Sequence, residues 1–411
     1  MNKKLIAVAI GAALSGSAFA QSSNVTLYGR INTAIESNQT GKAGSEVQMR
    51  SYSSRLGVRG TEDLGGGLSG VFGIETQLAS DSGASGLATN LRNAYIGVDS
   101  KTMGRVTLGR LDAAVGLGSA PLYQQVTSVI DLVGYDTGAG QFINAAPTEN
   151  SVLTTGAAST GTANLTTGAV STTAGTASGV STIAGSRLTW ATTGGNTINI
   201  QQRASNAVSY GIKSGDFTVG ARLQMSGLDG GSGTAAQGEN NARLFEVAGS
   251  YVSGPLTLGV GYETQSLGKA EELLAANAIR FDDRFQAVAG YAVNKDLKVG
   301  ASFARNSIES QAGTALADKS GNEIAFSGTY SLDAKNSVVV NYGSRDLIAN
   351  ANGTRNDAKR KQFAVGYRYD FSKRTQGYAL YNTVDPDSNV GDTGAATDKV
   401  KSVIVGLRHN F

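Results

Sequence analysis

The sequence predicts an all-β protein, a transmembrane antiparallel β-barrel of 16 strands. Polar and apolar residues alternate with period two along most of the chain. No stretch after residue 20 provides the roughly 20 apolar residues of a membrane-spanning helix. Only 16% of the 411 residues are charged, whereas soluble domains carry roughly a quarter. The chain has no cysteine, which excludes disulfides and thiolate sites.

The first 20 residues have the features of a cleaved signal peptide. Lys3 and Lys4 precede an apolar stretch at 5–14, and Ala-Phe-Ala at 18–20 fits a small-residue cleavage site. A membrane anchor is the alternative, but the apolar stretch is shorter than a membrane span. We therefore expect export. Cleavage removes two lysines, so the formal charge falls from +3 to 3 − 2 = +1, and such a charge gives no argument for nucleic-acid binding.

Each strand is predicted from one alternating run. Short connections such as 62–66 alternate with long polar ones such as 37–51. We therefore expect short periplasmic turns and long extracellular loops. The sixteen predicted strands cover residues 24–36, 52–61, 67–79, 90–99, 104–111, 200–213, 216–226, 241–252, 255–267, 280–293, 296–308, 321–331, 336–347, 359–371, 374–386 and 398–411.

The arginines indicate which face of the sheet meets lipid. In the predicted hairpin of the second and third strands, Leu56, Val58 and Gly60 alternate with Arg55 and Arg59. An arginine facing lipid near the bilayer midplane costs about 2–4 kcal/mol. The apolar face is therefore expected to face lipid, and the arginine face a water-filled lumen. The sheet must close because lipid leaves open strand edges without hydrogen bonds, and a 16-stranded barrel is wide enough for a channel.

One region breaks the alternation. Residues 112–199 contain no clean strand pair, and their middle, 151–182, is an uncharged segment rich in Thr, Ala, Gly and Ser. A flexible interdomain linker is the alternative interpretation. However, the barrel alternation continues on both sides, so we expect one long loop with an insertion inside a single barrel domain at 21–411.

Tyrosines outnumber tryptophans by 15 to one. Outward tyrosines near strand ends can place the ring between lipid and headgroups, although the general β-propensity of tyrosine is an alternative explanation. The tyrosines predicted at such positions are Tyr95, Tyr210, Tyr251, Tyr262, Tyr291, Tyr330, Tyr367 and Tyr369.

Several segments resemble the Gram-negative general diffusion porins, a family of trimeric 16-stranded barrels. The most specific are SRLGVRGTEDLGGGLSGVFGIETQL at 54–78, FSKRTQGYALYNTV at 371–384 and VGLRHNF at 405–411. The resemblance covers nearly all of the mature chain. It implies an outer-membrane homotrimer, in contact with lipid and lipopolysaccharide, that passes small hydrophilic solutes and inorganic ions by passive diffusion. It also implies that Phe411 is the assembly signal.

Small residues on the outward faces of the first strands would suit close packing between subunits of such a trimer. By the alternation, Gly60, Gly70 and Gly97 occupy outward positions.

The resemblance also implies a constriction inside the barrel. In the family, the loop after the fifth strand folds into the lumen, and its acids face an arginine cluster on the opposite wall. The usual Pro-Glu-Phe-type core of that loop is absent from this sequence. Carried over to this sequence, the cluster is Arg30, Arg55, Arg92 and Arg203, with Arg59 and Arg222 inward at other levels and Asp112, Asp131 and Asp136 as the acids.

Such a constriction predicts a moderate anion preference. Arginine stays ionised, and two unit charges about 8 Å apart interact by about 0.5 kcal/mol in water and about 2 kcal/mol at an effective dielectric near 20. The inward arginines outnumber the certain luminal acids, and rings of basic residues favour anions. The alternative is that the arginines pair with inward Glu75, Glu246 and Glu263 and only brace the wall.

Other functions have less support from the sequence. The only histidine is His409, on the predicted lipid-facing side of the last strand. A Ser/His catalytic arrangement and a histidine metal site therefore lack a partner, and we expect no enzymatic activity and no cofactor. A structural or adhesive barrel with an occluded lumen would lack the inward arginines. A substrate-specific channel stays open as an alternative.

Overall fold

The structure is a computed structural model that describes residues 23–40, 45–82, 91–112, 189–191, 197–199, 203–225, 243–266, 279–310, 319–346, 359–386 and 399–411. Within these ranges the regular secondary structure is entirely β. None of the described residues forms a helix long and apolar enough to cross a membrane. The predicted signal peptide and the 151–182 segment lie outside these ranges.

Nineteen strands occur in the described residues. They are β1 (Ser23–Thr40), β2 (Ser45–Ser51), β3 (Arg55–Gly65), β4 (Leu68–Gln77), β5 (Leu91–Ser100), β6 (Gly104–Asp112), β7 (Thr189–Ala191), β8 (Thr197–Asn199), β9 (Arg203–Ser214), β10 (Phe217–Gln224), β11 (Arg243–Ser253), β12 (Leu256–Ser266), β13 (Ile279–Ala292), β14 (Leu297–Ser310), β15 (Lys319–Ser331), β16 (Asn336–Asp346), β17 (Lys359–Asp370), β18 (Thr375–Pro386) and β19 (Val400–Asn410).

The strands other than β7 and β8 form one antiparallel sheet that closes on itself. Strand β1 pairs with β19 from Arg30–Asn410 to Thr40–Val400. Strands β2 and β3 both pair with β1 and follow one another along it, so they are two halves of one barrel strand. The predicted closed barrel of 16 strands is therefore confirmed.

The C-terminal residue completes the seam of the barrel. The amide of Gly29 donates to the carbonyl of Phe411 at 3.0 Å, and the amide of Phe411 donates back to the carbonyl of Gly29 at 3.1 Å. The ring of Phe411 covers Gly29, where a Cβ would collide with it. Closing the last strand on the first in this way leaves no free edge.

The break between β2 and β3 was not predicted. Ser53 has φ 55°, a left-handed conformation uncommon for residues other than glycine. The adjacent Ser54 is buried, and its Oγ accepts from the amide of Asn32 at 3.0 Å and from the hydroxyl of Ser51 at 2.9 Å. The prediction of a loop over 37–51 is therefore wrong for most of its length, because β1 and β2 continue the hairpin beyond the kink.

The two faces of the sheet have opposite polarity. On β1, Val25, Leu27 and Ile31 point outward and are 60%, 61% and 46% exposed, whereas inward Asn32 and Glu36 are buried. In a barrel surrounded by lipid, outward apolar side chains are stable and the polar groups collect inside.

Short turns join the strands at one end of the barrel. Gly65, Gly66 and Gly67 all have positive φ, which only glycine adopts readily. In the turn before β16, Asp333 Oδ1 accepts from the amides of Lys335 at 2.7 Å and Asn336 at 2.9 Å. These hydrogen bonds to its charged form lower the pKa of Asp333.

Strands β7 and β8 form a separate two-stranded ribbon, with Trp190 opposite Ile198. The expectation that 112–199 contains no strand pair is therefore wrong for these residues. Their alternating runs of three residues are too short to stand out in the sequence.

Candidate functional site

An arginine pair lies on the inner wall where β1 meets β3. Arg30 is directly opposite Arg55 in the register of these strands. Arg30 is 8% exposed, and its Nε donates to Asn410 Oδ1 at 2.9 Å. Two guanidinium groups on opposed positions repel one another, so their pairing concentrates positive charge on this wall.

One carboxylate is shared between two arginines next to that pair. Glu75 on β4 accepts a hydrogen bond from Nε of Arg92 on β5. The second oxygen of Glu75 lies 3.9 Å from Nε of Arg55. Glu75 and Arg92 are 6% and 5% exposed. The pairing with Glu75 that the sequence left open therefore occurs, but one glutamate serves two guanidinium groups.

Arg92 faces inward because of a β-bulge. The β4–β5 register shifts between Glu75 and Thr76, which lie opposite Asn93 and Leu91. Arg92 is the extra residue, so Arg92 and Asn93 both point into the barrel.

The same bulge overturns two predictions about β5. Beyond it, the inward positions are Asn93, Tyr95 and Gly97, so Tyr95 and Gly97 do not face lipid. The ring of Tyr95 covers Gly73 on β4 instead. An alternation that continues through β5 without the bulge assigns residues 94–100 to the wrong face of the sheet.

Further basic residues line this part of the wall. Arg59 is exposed, and its guanidinium lies 5.0 Å from the centre of the Tyr28 ring, within cation–π range. Arg408 on β19 and Arg368 on β17 also face inward. Neither was predicted as a site residue, although alternation already places Arg368 opposite the row of Tyr367 and Tyr369, and Arg408 opposite that of Val405 and Leu407.

Of the predicted acids, the structure describes Asp112. Its Oδ2 accepts from Asn93 Nδ2 at 2.6 Å. Backbone pairing places Asp112 opposite Arg203 at the ends of β6 and β9. The Arg203 side chain, Asp131 and Asp136 lie outside what is described.

Arg222 points inward but is not a lumen charge. It is 1% exposed, and its Nη2 lies 2.8 Å from Glu246 and 3.1 Å from Glu263. In the strand register, Arg222, Glu246, Glu263 and Arg284 are successive direct neighbours across β10 to β13. Their charges sum to zero, so this row braces the wall. Arg222 therefore has the inward position that alternation predicts, and for this residue the bracing alternative, pairing with Glu246 and Glu263, describes the contacts.

A cavity of about 300 Å³ opens on the inner wall between β5, β6 and β9. The Arg105–Asp99 ion pair, at 2.6 Å, stands beside it. Among the described residues, no group of three or more His, Asp or Glu is placed to hold a metal ion. The cavity is lined by Asn93, Tyr95, Arg105, Thr107, Leu111, Asp112, Ser209 and Gly211.

A family model described as Gram-negative porin matches residues 7–389. The chain belongs to the Gram-negative porins. The outer membrane porin protein 32 of Delftia acidovorans is 27% identical to this porin over 429 residues and is covered, like this chain, over 100% of its length. An outer membrane porin protein of Bordetella pertussis is 38% identical over 129 residues, which are 27% of this chain and 33% of that protein.

Solved structures show the same fold. The anion-selective porin from Comamonas acidovorans superposes with a TM-score of 0.63 at 21% identity, over 95% of this chain and 100% of that one. In vitro folded OmpT of Vibrio cholerae, in its trimer form, has a TM-score of 0.57 at 15% identity, over 95% of this chain and 99% of that one.

The family settles the location and the general role. This porin is an outer-membrane protein, and its fold is that of a channel for passive diffusion. Porins are channels rather than enzymes. By the barrel topology of the outer membrane, the short turns lie on the periplasmic side.

Proposed function

We propose that this porin is a general diffusion channel for small hydrophilic solutes and ions, with a moderate preference for anions. The observation that carries the proposal is the direct pairing of Arg30 with Arg55, next to Arg92. Glu75 is shared between Arg55 and Arg92, so its single negative charge offsets only part of the charge of the three guanidinium groups. A wall with an excess of positive charge lowers the energy of an anion that passes it.

Three inward acids in the described part of the wall are themselves paired with arginines and do not cancel the excess positive charge next to Glu75. Glu246 and Glu263 are held by Arg222, and Glu323 lies 3.5 Å from Arg284. Compensated pairs act as dipoles, whose potential falls off faster with distance than that of a single charge. An arginine-rich wall also argues against an occluded lumen. The Comamonas acidovorans porin, which shares this fold, is described as anion-selective, and this supports the same sign here.

Residues 112–199 are proposed as the constriction loop, carrying Asp131 and Asp136. The support is that β6 and β9 pair directly with Asp112 opposite Arg203, so the chain between them leaves and rejoins the wall at the level of the inward acid. Cleavage after residue 20 likewise stays a prediction.

We also propose that the porin is a homotrimer that packs through the outer surface of β1 to β6. Outward aromatic side chains are spread over β9 to β18, as with Tyr210, Phe245 and Tyr330. Among the exposed large hydrophobic side chains of β1 to β6, the aromatic one is Phe72, which covers Gly60. Aromatic girdles mark contact with the membrane interface, so their scarcity on this arc favours a protein neighbour.

A cluster of hydroxyl groups on the same arc supports this proposal. The hydroxyl of Thr33 lies 2.6 Å from that of Ser80, which also bonds Ser51 at 2.9 Å and Ser54 at 3.1 Å. Because polar side chains are costly against hydrocarbon, these hydroxyl groups favour a protein neighbour over lipid. OmpT of Vibrio cholerae, which shares the fold, has a trimer form.

The anion preference is tested by replacing Arg30 and Arg55 together with serine. The reversal potential of the purified porin is measured in planar bilayers under a KCl gradient. Removing two unit charges is expected to lower the chloride-to-potassium permeability ratio by about two- to fivefold, since each contributes about 0.5 kcal/mol at about 8 Å in water. The effect should fade toward 1 M salt, where the Debye length falls to about 3 Å.

The matched control is Arg305→Ser with Lys361→Ser. Both residues are exposed on the outward face, so this variant loses the same net charge without changing the lumen. The proposal predicts a near-normal permeability ratio for the control. If the inner-wall variant keeps the ratio of the unaltered protein, or both variants shift it equally, Arg30 and Arg55 do not set the selectivity.

A further inference from the structure

Arg222 makes one contact in addition to the ion pairs that brace the wall. Besides its two glutamates, its Nη1 donates to the main-chain carbonyl of Leu111 at 2.9 Å. Leu111 is the second-last residue of β6, whereas Arg222 lies on β10. The guanidinium therefore reaches past β9 to the point where β6 ends.

Small residues on β9 make this reach possible. Leu111 packs against Ala204 and Ala207, which are 0% and 2% exposed. A larger side chain at either alanine would fill the space that the buried guanidinium group and Leu111 occupy. The β6–β9 register also shifts between Gly109 and Leu111, so the ladder is irregular where the contact is made.

The end of β6 carries Asp112, an acid of the pore wall. Asp112 follows Leu111 directly and accepts a hydrogen bond from Asn93. Asn93 is adjacent to Arg92, which pairs with Glu75. Moving the carbonyl of Leu111 would therefore move a carboxylate relative to the basic wall.

We propose that Arg222 is a positioning residue that fixes the end of β6 and, through it, the place of Asp112 in the pore. Glu246 and Glu263 hold the guanidinium through Nη2 so that Nη1 faces the carbonyl of Leu111. This inference rests on the proposed channel function and adds to it. The charge of Arg222 does not act on passing ions, because Glu246 and Glu263 compensate it. Arg222 acts instead on the position of Asp112, whose charge faces the pore.

The test compares Arg222→Lys with Arg284→Lys in single-channel recordings. Arg284 is also a buried guanidinium with a glutamate partner, but it lies on β13, away from β6. Lysine keeps the charge for the glutamates but cannot provide the forked donors that reach Leu111. Arg222→Lys should fold, show larger open-channel current fluctuations, and shift the permeability ratio by about twofold, the effect of one displaced unit charge at about 8 Å.

Arg284→Lys should keep the noise and permeability ratio of the unaltered protein. The inference is overturned if Arg222→Lys matches the unaltered protein, or if both variants change alike. If Arg222→Lys does not fold, Arg222→Met combined with Glu246→Gln removes the contact at unchanged net charge and leaves Glu263 opposite Arg284, and the same outcomes apply. A protein that conducts no ions at all would refute the proposed channel function instead.

Discussion

At the scale of single residues, Gly29 is a tightly constrained position on the outer face. A Cβ there would lie 2.6 Å from the carbonyl oxygen of Arg55 and 2.8 Å from a ring carbon of Phe411. The backbone oxygen cannot rotate away as a side chain can. Glycine is therefore required for the seam between the first and last strands to close.

Gly29→Ala should destabilise the barrel by roughly 1–3 kcal/mol, the usual cost of overpacking. The matched control is Gly328→Ala on β15, where the nearest atom to a new Cβ is 3.9 Å away. That change should be neutral or slightly stabilising, because alanine restricts the unfolded chain. Urea unfolding in detergent micelles measures both. Equal midpoints for the two variants would show that the Phe411 contact does not constrain the seam.

The residues of the pore wall show what alternation can and cannot predict. The inward positions of Arg30, Arg55 and Arg59 follow from parity, because their strands are regular there. The position of Tyr95 does not, because a bulge adds one residue to β5 and reverses every later position. Parity also placed Glu246 and Glu263 on the inner face and so allowed a bracing pair, but it could not tell which arginine they hold, because the partners of Arg222 lie 24 and 41 residues away in the chain.

At the scale of elements, sequence patterns predict which strands exist better than where they end. The strand broken at Ser53 was predicted only from residue 52 onward. The upper half, β2, does alternate, with exposed Val47 and Met49 against inward Arg50. With only two apolar residues on its outward face, that half does not stand out from a polar loop.

Strands β6 and β9, on either side of the long insertion, pair directly with one another. Deleting 151–182 should leave a folded, heat-modifiable barrel, because β6 and β9 pair from Arg105–Gly211 to Asp112–Arg203 without that segment. Loop closure entropy changes only slowly with loop length. Electrophoretic mobility before and after heating measures this. Failure of the deleted protein to assemble in membranes would show that the segment is structural.

At the scale of the whole molecule, the distribution of side chains is asymmetric on both surfaces. Inside, the arginines that share Glu75 and their neighbour Arg30 lie on β1, β3 and β5, and the compensated row lies on β10 to β13. Outside, the aromatic-poor arc covers β1 to β6. The wall that carries the excess positive charge is therefore the wall proposed to face other subunits, where protein neighbours would keep its strands rigid.

Two separate lysine substitutions test the proposed interface on β1 to β6, one on β5 within it and one on β12 outside it. Ile96 on β5 is 67% exposed and Val260 on β12 is 48% exposed, both outward and near mid-strand. Against lipid, each lysine costs about 2–4 kcal/mol near the midplane; in a subunit interface, the charge would also be buried without a partner. Ile96→Lys should therefore yield folded monomers by light scattering in mild detergent, and Val260→Lys should stay trimeric. Trimers in both variants would mean that the interface lies elsewhere, and dissociation of Val260→Lys alone would place it on the aromatic side.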